Sequence, residues 1–278
     1  VQLGVGLLLL RVAYALVTGQ TVSPVGPVPS PPLVQNLALA LVAAGLFFFF
    51  LYSKRFKRFP ASLAVLSFGL GIGAFTGSWG GTASLGEVPT LALPGWNAFS
   101  LALVLLVVPQ LPLTLGNAVF GAADTARMHF GDRAHRVSHR NLLLSMASIN
   151  LAAGVMGGMP LCHGSGGITA HHRLGARTGG ATVMLGGLLL LLLAMAVVTG
   201  ADILSYLSLL PYPVLGVLLA FVGVQHGLLA RHVSGAAEAT VAILVGVVTL
   251  LTGNLAIGFG CGITLYYLIR LLRRYSQG

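Results

Sequence analysis

The residues 157–167, Gly-Gly-Met-Pro-Leu-Cys-His-Gly-Ser-Gly-Gly, form the densest group of chemically useful residues in the chain. Pro160 forbids a helix running through it and pushes Met159 toward extended geometry. From about Ser165 to Gly175 the sequence regains helical character. A helix starting there offers N–H groups without intrahelical partners and the positive end of its macrodipole. Gly164, Gly166 and Gly167 let a ligand approach the backbone, and the Ser165 hydroxyl adds a donor, a combination suited to anions. The bland alternative is a glycine-rich kink in a long hairpin. Cys162, His163, His171 and His172 also read as metal ligands, but the Cys–His pair is adjacent and no H-E-x-x-H or C-x-x-C accompanies it. A second polar group is Gln110, Thr114 and Asn117, at helical spacing beside Pro109 and Pro112. Such a row either hydrogen-bonds a neighbouring helix or coordinates a solute. Ser145, Ser148 and Asn150 read as interhelical bonding groups.

The elements that position these residues follow from composition. Of 278 residues 56% are hydrophobic and 7% charged, whereas soluble domains carry about a quarter charged residues. The expected fold class is an all-α membrane protein. Apolar runs at Val1–Gly19, Val34–Tyr52, Pro60–Gly77, Ala98–Val119, Asn141–Gly157, Thr178–Thr199, Pro213–Ala230, Ala236–Thr252 and Leu255–Arg270 predict nine spans. The segment near Ser165–Gly175 is a half-span. Runs such as Leu185–Val198 lack the period-2 alternation of a transmembrane barrel. Two cysteines, Cys162 and Cys261, make no disulfide framework.

Charge gives the orientation. The formal net charge is +10, and fourteen of fifteen Lys and Arg fall in connections that share one face if the half-span returns the chain to the side it left. The opposite connections, Gln20–Leu33, Ser78–Asn97, Gly200–Tyr212 and Gly253–Asn254, contain no Lys or Arg. The positive-inside rule then makes the arginine face and both chain ends cytoplasmic, probing topology rather than nucleic acid. Arg11 alone lies inside a span and reads as interfacial or snorkelling. The extended stretch before Ser165, five or six residues at about 3.3 Å each, covers about half the hydrocarbon thickness. The half-helix therefore starts near the bilayer midplane, as in secondary transporters that hold anions on broken helices. The prolines at 24, 27, 29, 31 and 32 predict a stiff connector, and Trp79 and Trp96 interfacial anchors. Phe47–Phe50 predicts a packing or lipid-facing surface, and Gly69, Gly71, Gly73, Gly179, Gly180, Gly186 and Gly187 predict close helix approach.

Residues 158–167 and the Arg173-Leu174-Gly175-Ala176-Arg177-Thr178-Gly179 run resemble a signature of the plant and bacterial molybdate transporters, distant relatives of the sulfate permeases. Residues 109–114 with Asn117-Ala118-Val119 resemble that family's other C-terminal motif, and Gln2–Leu7 is similar to the start of its fifth helix. The resemblance implies two inverted seven-helix repeats with core and gate domains. Mapped on this chain, residues 1–78 are gate helices of the first repeat, 79–200 core helices of the second with the half-helix, and 201–278 its gate helices. It also implies that the first four helices are absent, in line with a chain that opens at Val1 mid-hydrophobic. By motif, Cys162, His163, Gly164, Ser165, Gly166 and Gly167 face the oxyanion from the half-helix, and Gln110, Thr114 and Asn117 from the eighth family helix.

The expectation is a secondary transporter of a tetrahedral oxyanion, molybdate first, with sulfate and tungstate as alternatives, working by alternating access in the plasma membrane. A channel on the same site and a metal-binding membrane protein are the rivals. The partners expected are the oxyanion, the lipid bilayer and a second copy in a homodimer; no nucleic acid, cofactor or enzymatic activity is expected. No G-x-x-x-x-G-K-[ST] loop occurs. All five acids, Glu87, Asp124, Asp132, Asp202 and Glu238, fall in loops or at span ends, which leaves His163 as a proton carrier or a plain donor.

Overall fold

The computed structural model describes residues 1–20, 32–53, 60–76, 95–199 and 209–275. The connector prolines up to Pro31, the basic run Lys54–Arg58, Trp79, Glu87 and Asp202 lie outside the described residues. Among the described residues every regular element is helical. Helices form where apolar runs demand them: α1 Gln2–Thr18, α2 Leu33–Tyr52 and α3 Ala61–Thr76. The helices α7 His139–Val155, α8 Ser165–Arg173, α9 Gly180–Thr199, α10 Tyr212–Gly227, α11 Ala236–Thr252 and α12 Leu255–Tyr275 follow. By length and composition four stretches among the described residues can cross a membrane, Leu33–Tyr52, Gly180–Thr199, Tyr212–Arg231 and Leu255–Tyr275. The described residues are thus those of a helical, apolar chain, consistent with an integral membrane protein.

Between α3 and α7 the chain departs from the expected span Ala98–Val119. It is helical throughout 96–130, as α4 Trp96–Ala102, a π stretch Leu103–Val107, α5 Val108–Leu113, a π stretch Thr114–Gly121 and α6 Ala122–Phe130. Pro109 and Pro112 have no N–H for the carbonyls four residues back, which loosens the ladder beside the first π stretch, where the Val108 N–H reaches the Leu103 carbonyl five residues back. The helix outlasts the apolar run because Ala122, Ala123 and Ala126 favour helix and pack inward.

Contacts divide the chain into two compact units, one of Val1–Leu8, Val88–Ala170 and Val222–Gly278, the other of Leu9–Glu87 and His171–Phe221. In the second, α2 lies against α3 around buried Leu39, Ala43, Phe47, Ala61, Val65 and Val214. The phenylalanine run splits: Phe47 is fully buried with its ring 4.8 Å from that of Phe221, whereas Phe48 and Phe49 are exposed. Gly69 admits Val214, where a Cβ would lie 3.0 Å from its side chain, but Gly71, Gly179, Gly186 and Gly187 meet no neighbour. The helix α9 buries no residue, so its glycines do not serve the close approach expected of them. Its leucines cover every side, which suits lipid rather than a partner helix.

The first unit holds the glycine-rich break. The second π stretch and α6 rest on α7 through Ala118, Val119 and Met146, and through Ala122, Ala123 and Leu142, against which Ile168 of α8 packs. A Cβ on Gly6 would lie 2.7 Å from the Gly227 Cα, so α1 and the end of α10 touch backbone to backbone. Helices α11 and α12 form a hairpin turned by Gly253 at φ 68°.

Candidate functional site

Helix α7 stops where glycine permits it. Gly157 takes φ 70°, its N–H bonds the Gly154 carbonyl at 3.2 Å, and the Gly158 N–H bonds the Ala153 carbonyl at 2.7 Å. This double closure satisfies carbonyls that would otherwise be orphaned. The chain then runs through Met159 and Pro160 without regular structure to Gly164. One side chain holds this stretch. Asn150 accepts the Leu161 N–H on Oδ1 at 2.8 Å and donates from Nδ2 to the Leu161 carbonyl at 2.7 Å. The amide thus pairs with one peptide as a neighbouring strand would, giving non-helical backbone hydrogen-bond partners. One residue beyond Cys162, the His163 Nε2 stands 2.7 Å from the Ser145 hydroxyl. Ser145 and Asn150 therefore tie α7 to its own continuation, rather than to another helix.

Helix α8 begins at Ser165, with the Ile168 N–H closing on the Gly164 carbonyl at 3.2 Å. Ser165 is fully buried and stands at the centre of a polar cluster. Its hydroxyl donates toward Asn117 Oδ1 and toward Gln2 Oε1 at 3.2 Å. Gln2 in turn donates from Nε2 to the Thr125 hydroxyl at 3.4 Å. Below Ser165, the Thr169 hydroxyl donates to the Ser165 carbonyl at 3.1 Å. Fully buried His226 of α10 sets Nε2 at 3.3 Å from the Ser165 Oγ and Nδ1 at 3.4 Å from the Thr169 Oγ1. Gly121 makes room, since a Cβ there would lie 3.1 Å from Gln2 Nε2 and 3.4 Å from Ser165 Oγ.

The two segments singled out by sequence therefore meet at one point, Ser165 on Asn117. Thr114 is half-buried and Gln110 exposed, and among the described residues no hydrogen bond joins either to the cluster. Gly166 is half-buried and Gly167 exposed beside Ser165. Cys162 is an exposed free thiol. Among the described residues no three His, Cys, Asp or Glu side chains gather closely enough to hold a metal ion, so the geometry lends no support to Cys162, His163, His171 and His172 as ligands. Thr125, Thr169 and His226 were not anticipated, and Asn150 was underrated. His226 carried a signal, because an ionisable residue inside an apolar helix is a functional candidate by default. Thr169 lies one helical turn from Ser165.

The site is a neutral polar cluster at the start of a short helix, in an apolar chain whose described residues form only helices among their regular elements. The family model described as molybdate transporter of MFS superfamily matches residues 102–225. The chain is similar to molybdate transporter 1 of Chlamydomonas reinhardtii, 34% identical over 180 residues that cover 63% of this chain and 34% of that protein. It is 29% identical over 176 residues to molybdate transporter 2 of Arabidopsis thaliana, covering 63% of this chain and 37% of the relative. Against molybdate transporter 1 of Arabidopsis thaliana the identity is 32% over 170 residues, or 61% of this chain and 36% of the other. The chain spans about a third of the length of the curated relatives it matches. Its likeness is to transporters rather than to enzymes. No solved structure matches the chain.

Proposed function

We propose that the chain carries part of a secondary transporter for a tetrahedral oxyanion, molybdate before sulfate or tungstate. The observation that carries this reading is Ser165. The first residue of a helix preceded by nine residues of break is fully buried, with its hydroxyl on Asn117. An anion at this helix start would be met by backbone N–H groups, the positive end of the macrodipole and neutral hydroxyl and amide donors. Neutral donors suit a carrier, because binding must be weak enough for release. The names of the similar proteins support molybdate as the cargo.

In this reading the nine apolar segments cross the bilayer and both chain ends face the cytoplasm. Residues 79–200 move as a core against gate helices in 1–78 and 201–278, exposing the site alternately to either side. Gln110, Thr114 and Cys162–Gly167 line the path with Asn117. Uptake of labelled molybdate by proteoliposomes holding the full-length protein tests this. Saturable uptake competed by tungstate supports a carrier. Uptake that rises linearly with concentration identifies a channel, and none above empty vesicles rejects the reading.

A further inference from the structure

His226 is a buried titratable group to which the oxyanion reading gives no task, and it lies outside the matched stretch 102–225. Five contacts bind it and its two hydroxyl neighbours together: Ser165 with Gln2, Asn117 and His226, and Thr169 with the Ser165 carbonyl and His226. Each contact needs one hydrogen. The two hydroxyls and a neutral imidazole supply one apiece, so hydrogens fall short of contacts. Of the neutral tautomers, Nε2–H donates to Ser165 but leaves the single Thr169 hydrogen sought by His226 Nδ1 and the Ser165 carbonyl, whereas Nδ1–H donates to Thr169 and leaves the single Ser165 hydrogen sought by His226 Nε2, Asn117 Oδ1 and Gln2 Oε1. A proton on Nε2 relieves this. The ring then donates to both hydroxyls, and the Ser165 hydrogen turns to the amide oxygens without any side chain moving away.

What the cluster lacks is negative charge. Gln2, Asn117, Thr125, Ser165 and Thr169 are neutral, and the other titratable side chain whose charge reaches His226 is His129, cationic when protonated. A divalent oxyanion at the start of α8 would supply that charge. An opposite charge within about 4–6 Å favours the ionised form of a titratable group.

We propose that His226 is a proton-binding site coupled to anion occupancy, taking one proton from solution onto Nε2 when a divalent oxyanion occupies the start of α8 and returning it when the anion leaves. The inference rests on the oxyanion reading above. One N–H bond forms, no other bond changes, and the loaded site carries one negative charge less than the anion. Coupling is reciprocal, so a proton on His226 tightens anion binding by the same factor that the anion tightens proton binding. A carrier with this site moves a proton with each anion.

Calorimetric titration of the full-length protein with sodium molybdate, in buffers of differing ionisation enthalpy near pH 7.5, counts the protons taken up. The expected result is about one proton per molybdate for the native protein and near zero for His226→Gln, whose affinity falls about tenfold yet remains measurable. Molybdate binding without proton uptake, or unchanged uptake in His226→Gln, overturns the proposal and leaves the oxyanion reading standing. No binding by the native protein removes both. Should His226→Gln fail to fold, Thr169→Val carries the test. It keeps the imidazole but removes its Nδ1 acceptor, and proton uptake indistinguishable from native contradicts the proposal.

Discussion

Replacing Asn150 by Leu isolates the device that holds the break. The leucine keeps the side-chain volume but cannot accept the Leu161 N–H at 2.8 Å or donate to the Leu161 carbonyl at 2.7 Å. Each group so stranded costs about 1–3 kcal/mol where water is excluded, and exposure of these two bonds recovers part of it, so about 2–4 kcal/mol in total separates the held and released arrangements. If the anion binds only the held arrangement, its apparent affinity falls with the fraction that is held. At about 1.4 kcal/mol per tenfold, the ceiling is a loss of about 30- to 1,000-fold. The Gly157 closure and the Ser145–His163 contact share the load, so we expect a loss of about ten- to a hundredfold in molybdate affinity. The assay is equilibrium binding of labelled molybdate to the purified full-length protein. Ser148→Ala is the control, because its hydroxyl bonds only the Leu144 carbonyl of its own helix at 2.9 Å. Native affinity in a folded Asn150→Leu protein would refute the claim that this amide positions the site.

Gly121→Ala should lower both thermal stability and molybdate affinity, because a Cβ there meets the Gly116 carbonyl at 2.8 Å as well as Gln2 Nε2 at 3.1 Å and Ser165 Oγ at 3.4 Å; a thermal melt and binding both equal to native would contradict this. Gly157→Ala should lower thermal stability by about 1 kcal/mol or more, since φ 70° suits glycine alone, and a thermal melt equal to native would contradict this. Gly6→Leu should separate α1 from α10, releasing Gln2 and His226 from Ser165 together, which predicts loss of molybdate binding comparable to that of Ser165 variants. Ser145→Ala should weaken molybdate binding only a few-fold, as one hydrogen bond contributes about 0.5–1.5 kcal/mol; a loss above a hundredfold would show that His163 has a larger part.

Much of the fold was legible because the controlling residues act locally. Pro160 and Gly157 break a helix by their own covalent geometry, and the helix resumes at Ser165 as the spacing suggests. The meeting of Ser165 with Asn117 was legible only as two separate polar groups; the sequence does not say that residues 48 positions apart come together. Asn150 looked like glue between helices because its partner, the Leu161 peptide, is backbone and carries no side-chain signature. His226 stood out as a lone histidine in an apolar run, but nothing in the sequence names Ser165 and Thr169 as its partners. The length of helix through 96–130 was misjudged because hydropathy ends near Val119 while alanines extend the helix. Gly186 and Gly187 mislead for the opposite reason: small residues permit close approach but do not compel it.

In the proposed function, Ser165 and Asn117 join to make an oxyanion site. The direct measurement is equilibrium binding of molybdate to the full-length protein and to Ser165→Leu and Asn117→Leu, each checked for native helicity and melting behaviour. The account predicts saturable binding by the native protein, displaced by tungstate and sulfate, and a loss of at least about a hundredfold in both variants. Native-like molybdate affinity in either folded variant would contradict it.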